Sequence, residues 1–295
     1  MAAVLGIGNA TLDIIHLVDS YPGENEEVRC RGRYTRRGGN VTNTLAVLSQ
    51  LGVACHWAGM LVDNAEGRFV LDDLARYRID TSSCSFAVQG GMPVSSILVS
   101  RQTGSRTIIH FRDLPEYELA SFRTIDLRPM DWLHFEGRNI GETLRMLVHA
   151  RKTCPATPCS VEIEKPRDGI EALFAHAAVL MFSSVYARAQ GYRDPVDLLQ
   201  SVRAAGSSAD LFCTRGAAGA VALDRQGRLW RHPAVSPDVV VDTLGAGDTF
   251  NAGVISGCLD GLGIDAVLAR ACGLAGRKCG QYGLDGLGGS PGVPE

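Results

Sequence analysis

Two β-rich runs, PVSSILVS (93–100) and RTIIHF (106–111), are joined by RQTGS with no helix between them. Elsewhere the chain alternates short apolar runs with helix-spaced segments. Such alternation asks for a parallel sheet, because a parallel crossover needs a helix to return the chain. RQTGS is instead a hairpin signal. The chain is therefore expected to carry a small antiparallel piece set into an α/β frame. The stretch 12–34, with LDIIHLVD and EVRCRGRY, can supply its remaining strands.

The frame reads as follows. AVLGIG (3–8) is a buried strand. GGNVTNTLAVLSQLG (38–52) is a helix with glycines and Asn at its start and Gly52 at its stop. CHWAGML (55–61) is a strand and AEGRFVLDDLARYRID (65–80) a helix. WLHFEG (132–137) and CSVEIE (159–164) are strands around the helix ETLRMLVHARK. AVLMFSS, DLFCTRG and AVALD follow as strands, and the segment from Phe250 to Gly280 is helical with glycine interruptions. This divides the chain into a core (1–11, 35–89 and 113–285), a β lid (12–34 and 90–112) and a flexible tail (286–295). In such a frame, ligands bind beyond the carboxyl ends of the parallel strands.

The bulk properties exclude several classes. A net charge of −3 gives no footing for nucleic acid or an acidic membrane. No apolar run reaches about eighteen residues and the N-terminus lacks a signal pattern, so the expected location is the cytoplasm. Nine scattered cysteines, without a C-x-x-C pair, predict reduced and mostly buried thiols.

Gly6-x-Gly8-x-x-Thr11 follows a strand but lacks a third glycine and a following helix, so it reads as a tight turn rather than a dinucleotide fingerprint. DTLGAGDTFNAG (242–253) is more informative. Gly245, Ala246 and Gly247 let backbone N–H groups crowd toward an anion at a helix start. Asp248 is either an N-cap or a base beside that anion hole, the arrangement phosphoryl transfer needs. Asp242, at an expected strand end, is read as shaping the loop. Gly39, Asn40 and Asn43 open the first helix, with Asn40 either its N-cap or, with Asn43, part of a polyol site. Asp13, inside an apolar run, is either a turn residue or an acceptor for two hydroxyls.

Taken together, DTLGAGDTFNAGV and RGGNVTNTLAVLSQLG resemble the two signatures of the ribokinase-like carbohydrate kinases. They stand in the family's order, about two hundred residues apart. HLVDSYP, EEVRC, TGSRTI, HFEGRN, VEIEKPR and AGRKCGQYGLDG are similar to the ketohexokinase branch. The resemblance implies a three-layer α/β sandwich with a mainly parallel central sheet, plus a small β-sheet lid that clasps a second copy into a homodimer. It implies ATP with Mg²⁺, D-fructose as acceptor at O1, and leaves open a K⁺ ion near Asp242. Another sugar, a nucleoside or a non-catalytic binding role stay as alternatives.

By the same resemblance, Asp248 matches the catalytic base and Gly245, Ala246 and Gly247 the anion hole. Arg106 matches an arginine near the transferring phosphate. Asp13, Gly39, Asn40 and Asn43 match sugar-binding positions, and Arg138 and Asn139 positions facing the cleft. Thr214, Gly216 and Gly219 match nucleotide contacts. Three places depart from the pattern. Asn25 replaces an acidic lid residue. FSSVYAR (182–188) lacks the wider family's Asn-x-x-Glu, as the ketohexokinase branch also does. TRGAAGA follows the wider family more than the branch.

Overall fold

The computed structural model describes residues 1–289. An eight-stranded sheet forms its centre. Its strands are β1 (Ala3–Ile7), β4 (Ala54–Ala58), β9 (Trp132–Glu136), β10 (Cys159–Ile163), β11 (Val179–Phe182), β12 (Asp210–Thr214), β13 (Ala220–Leu223) and β14 (Leu229–His232). The order is β14-β13-β12-β11-β10-β9-β1-β4, with β13 and β14 antiparallel at one edge and the rest parallel. Every residue of β9, β10 and β11 is buried, as strands covered on both faces must be.

Alternate residues of these strands face two separate cores. Leu5, Leu133, Phe135 and Val161 pack on one side with Leu147 and Leu199, from α4 (Ile140–Thr153) and α6 (Pro195–Ala204). Val4 and Trp132 face the other side with Leu45, Ile255 and Leu268. These come from α1 (Asn40–Gln50), α7 (Ala246–Leu259) and α8 (Ile264–Cys279). The remaining helices are α2 (Ala65–Arg76), α3 (Leu119–Phe122) and α5 (Ser184–Ala189). The result is a three-layer sandwich.

The hairpin belongs to a second, four-stranded sheet in the order β3-β2-β7-β8. It comprises β2 (Thr11–Val18), β3 (Gly32–Gly38), β7 (Val94–Ser100) and β8 (Arg106–Phe111). β2 runs parallel to β7, so only the flanking pairs are antiparallel. β3 pairs with β2 as far as Gly38 opposite Thr11, past the lid boundary at 34 read from the sequence. A third, two-stranded sheet joins β5 (Met60–Val62) and β6 (Ser85–Ala87).

The glycines inside α7 serve helix packing: a Cβ at Gly253 would meet Ala271 Cα of α8 at 2.5 Å. One sequence expectation changes at the end of the chain. Residues 286–289 are not a loose tail. Leu287 is buried, and its N–H donates to Gln50 Oε1 at 3.1 Å. The rest of the expected tail, 290–295, lies outside the described residues. All nine cysteines are free, Cys154 and Cys159 included. Among the described residues no helix is long and apolar enough to cross a membrane.

Candidate active site

Two helix N-termini meet beyond the carboxyl ends of the central strands. Gly39 caps α1 with φ 110°, and a Cβ there would meet Asn9 O at 2.2 Å. A side chain cannot occupy that position, so the cap falls to glycine and Asn40 becomes the first helical residue rather than the N-cap. Its amide is thereby released, and Asn40 Nδ2 donates to Glu164 Oε2 at 3.2 Å. Gly245 caps α7 in the same way, with φ 83°. Asp248 is therefore a first-turn residue, not a cap.

The two helices are joined at their starts. Asn43 Nδ2 donates to Asp248 Oδ2 at 2.7 Å, and Thr44 Oγ1 to Asp248 O at 3.2 Å. Asp248 is only 8% exposed. Burial pushes its carboxyl up to about 7, against the opposing effect of the Asn43 hydrogen bond. Such a group can take and release a proton near neutrality. The first turn of α7 leaves the Gly247 and Asp248 amides without helical partners, while the Ala246 N–H leans back to Thr243 O at 3.3 Å.

More carboxylates stand at the strand ends. Glu136 closes β9 and accepts the Asn9 N–H at 3.0 Å. Glu162 on β10 accepts from Asn251 Nδ2 at 3.0 Å, while its Oε2 has no partner. Burial, then the nearby Asp248, Glu136 and Glu164, hold the Glu162 carboxyl well above the usual range. The acids of HFEGRN and VEIEKPR marked the branch, but the sequence assigned them no role. Among the described residues no group of three or more His, Cys, Asp or Glu is disposed to hold a metal ion.

The other expected residues fall around this centre. Asp13 is 9% exposed on β2, accepts from Thr11 Oγ1 at 3.0 Å, and is raised by burial. Arg106 begins β8, and its guanidinium donates to Thr243 Oγ1 at 2.7 Å, which brings it to the glycine loop. Arg138 pairs with Glu116 at 3.2 Å and Glu136 at 3.3 Å. Asn139 caps α4 with φ 40°, its Nδ2 3.5 Å from Tyr117 O. Both side chains are thus tied to neighbouring protein groups. Thr214 ends β12, and Gly216 and Gly219 bracket the short 3₁₀ turn that follows. Asn25 lies exposed in the lid loop between β2 and β3, with φ 61°.

Asp242 lies in irregular chain after β14 rather than at a strand end. Its Oδ2 takes the Lys278 ammonium at 3.0 Å, with Arg36 at 3.6 Å. Lys278 is fully buried and also donates to Asp242 O at 2.8 Å and Gln281 O at 3.3 Å. Asp242 Oδ1 accepts the Leu244 N–H at 2.9 Å. The lysine therefore pins the entry to the glycine loop. Nothing in the sequence pattern distinguished it from an exposed helical lysine.

A carboxyl titrating near neutrality at two convergent helix starts, below a β lid, suits transfer of an anionic group to a hydroxyl. The family model for the pfkB family carbohydrate kinases matches residues 1–287, and the chain belongs to that family of kinases. Within it, the chain is similar to mouse ketohexokinase, with 37% identity over 96% of this chain and 98% of that one. Solved structures share the fold. A putative ribokinase from Agrobacterium tumefaciens matches at a TM-score of 0.84 and 22% identity, over 96% of this chain and 92% of the other. The Arabidopsis thaliana ribokinase solved with ribose and ATP matches at 0.81 and 17%, over 96% and 94%.

Proposed function

We propose that the chain transfers the γ-phosphoryl group of ATP to O1 of D-fructose. The Asn43–Asp248 pair at the junction of α1 and α7 carries this reading. It puts a base that titrates near neutrality beside free amides of a helix start. Likeness to ketohexokinase over nearly the whole chain supports the acceptor.

In this reading the sugar lies between the lid and the strand ends, held by Asp13, Asn40 and Asn43 against the backbone of Gly39. Asp248 takes the proton of the attacking hydroxyl. The amides of 245–248 and the Arg106 guanidinium bear the charge that grows on the transferring group. Arg138 and Asn139 shape the cleft wall, and Thr214, Gly216 and Gly219 face the nucleotide. Mg²⁺, held mainly by nucleotide phosphates, would neutralise phosphate charge, since no carboxylate group among the described residues is disposed to cage it. A K⁺ ion beside Asp242 would have to share that carboxylate with Lys278. Closing the lid would exclude water and limit hydrolysis.

The lid also supplies the proposed dimer contact. All of β8 is exposed, with Ile109 and Phe111 about two-thirds open, and an edge strand of that kind suits pairing with a second lid. Nine free thiols fit the cytoplasm as the working compartment. Asn25, uncharged where the branch has an acid, favours testing other ketoses beside fructose.

Turnover of Asp248→Asn with ATP and a panel of sugars tests the reading, with the phosphate position assigned by NMR. Loss of about 10²–10⁴-fold is expected, since that is what a general base contributes. Turnover within about tenfold of the parent would sink the base assignment. A product other than the 1-phosphate would move the acceptor and keep the kinase.

A further inference from the structure

Asn43 presents its NH₂ group, not its carbonyl, to Asp248, and the reason lies one residue before the glycines. Arg37, near the end of β3, has a side chain only 2% exposed. Its Nε donates to Asp73 Oδ2 of α2 at 2.7 Å. Its Nη1 donates to Thr42 Oγ1 at 2.7 Å and to Asn43 Oδ1 at 2.9 Å. A guanidinium only donates, so the atom it meets on Asn43 must be the oxygen. The amide nitrogen is then left facing Asp248 Oδ2 at 2.7 Å. Were the amide turned over, its oxygen would face a carboxylate oxygen and its NH₂ would face a cation.

We infer that Arg37 is a positioning residue for proton transfer: anchored by Asp73, it fixes the Asn43 amide so that a donor meets the base. This rests on the base role proposed for Asp248. The chain Asp73–Arg37–Asn43–Asp248 links α2, the lid strand β3, α1 and α7 in one run of donors and acceptors. Asn43 and the Arg37 charge both favour the ionised base, against burial and the carboxylates Glu164 and Glu136. Around Arg37 itself stand Asp73, Arg76 beside Asp73, the Tyr77 ring and, on β2, Asp13.

Arg37→Met removes both the orienting donor and the charge. The base is then harder to ionise, so the acidic limb of the kcat profile moves to higher pH, by about one unit. Turnover lost at neutral pH returns in alkali. Arg37→Lys, which keeps the charge without the fork, moves the limb less. In a cycle with Asn43→Ala, adding Arg37→Met costs little more, because the amide it orients is gone. A limb that stays in place, or losses that simply add, would reduce Arg37 to a structural ion pair. If Arg37→Met does not fold, Arg37→Lys and Asp73→Asn carry the same comparison of pH limbs. Asp248→Asn separates the two readings: if it stays active, the base assignment fails, whereas an inactive Asp248→Asn with an unmoved Arg37→Met limb defeats only the relay.

Discussion

The Arg106 guanidinium donates to Thr243 Oγ1 at 2.7 Å, so the lid hairpin is latched to the glycine loop. The bond ties the lid down, a task separable from the role proposed for the arginine in facing phosphate charge. Arg106→Ala is expected to lower kcat by about 10²-fold, the scale of a lost charge-stabilising donor. Thr243→Val removes only the latch and should leave kcat within about threefold, since one neutral hydrogen bond is worth roughly 1 kcal/mol. Steady-state kinetics on both variants decides. Equal losses would make the latch itself the important contact.

As the proposed base, Asp248 sets the acid side of the pH profile. Its carboxyl is pushed up to about 7, and the base must be ionised to act. The kcat/KM value should therefore climb through neutrality and fall about tenfold per unit well below it. Stability runs the other way. A carboxyl raised in the fold stabilises it below the unfolded value, and that contribution is lost as pH rises through the folded value. Asp248→Asn, neutral throughout, should melt higher than the parent at pH 8, with a smaller gain at pH 5. Thermal melts across this range test the sign, and a variant less stable at pH 8 would mean the charge is well solvated.

Lys278 is a buried cation with one carboxylate partner. Lys278→Met strips Asp242 of its close partner and should cost about 3–5 kcal/mol, the usual penalty for breaking a buried pair. Nucleotide affinity should fall too, because the loop entry loses its pin. Lys278→Met with Asp242→Asn removes both charges and should recover most of the stability. Chemical denaturation of the three variants gives the coupling. Full additivity would show that the pair does not hold the loop.

The exposed β8 edge predicts a dimer. Ile109→Glu should yield monomers in analytical ultracentrifugation where the parent sediments as a dimer, because a charge on an edge strand opposes pairing. Burial of neither partner in the core is disturbed, so the melting of the monomer fold should change little. A parent that sediments as a monomer would remove the clasp.

The readable features were those set by local chemistry. The buried strand β11 announces itself as the unbroken apolar run VLMF, and RQTGS marks a hairpin where a helix would be needed for a parallel return. The start of α1 could be read because glycine must occupy a cap packed against Asn9 O, and that of α7 because its cap, Gly245, takes φ 83°. Arg37, Glu162 and Lys278 were hidden for one reason: a charge is costly to bury, so a sequence reader places it outside. Partners from other segments, Asp73 for Arg37 and Asp242 for Lys278, help make the burial of those charges tolerable, while Asn251 meets a Glu162 carboxyl that burial holds well above the usual range. The glycines of α7 mark close packing against Ala271 of α8.

A single residue, Gly39, separates the lid strand β3 from the helix that bears Asn40 and Asn43, while Asp13 sits on the lid itself. Lid and proposed sugar site thus cannot be exchanged as independent parts. A chimera given another family member's lid would inherit that member's Asp13 equivalent together with the edge strand proposed to pair. Substrate choice and quaternary pairing would then drift as one trait across the family, not two.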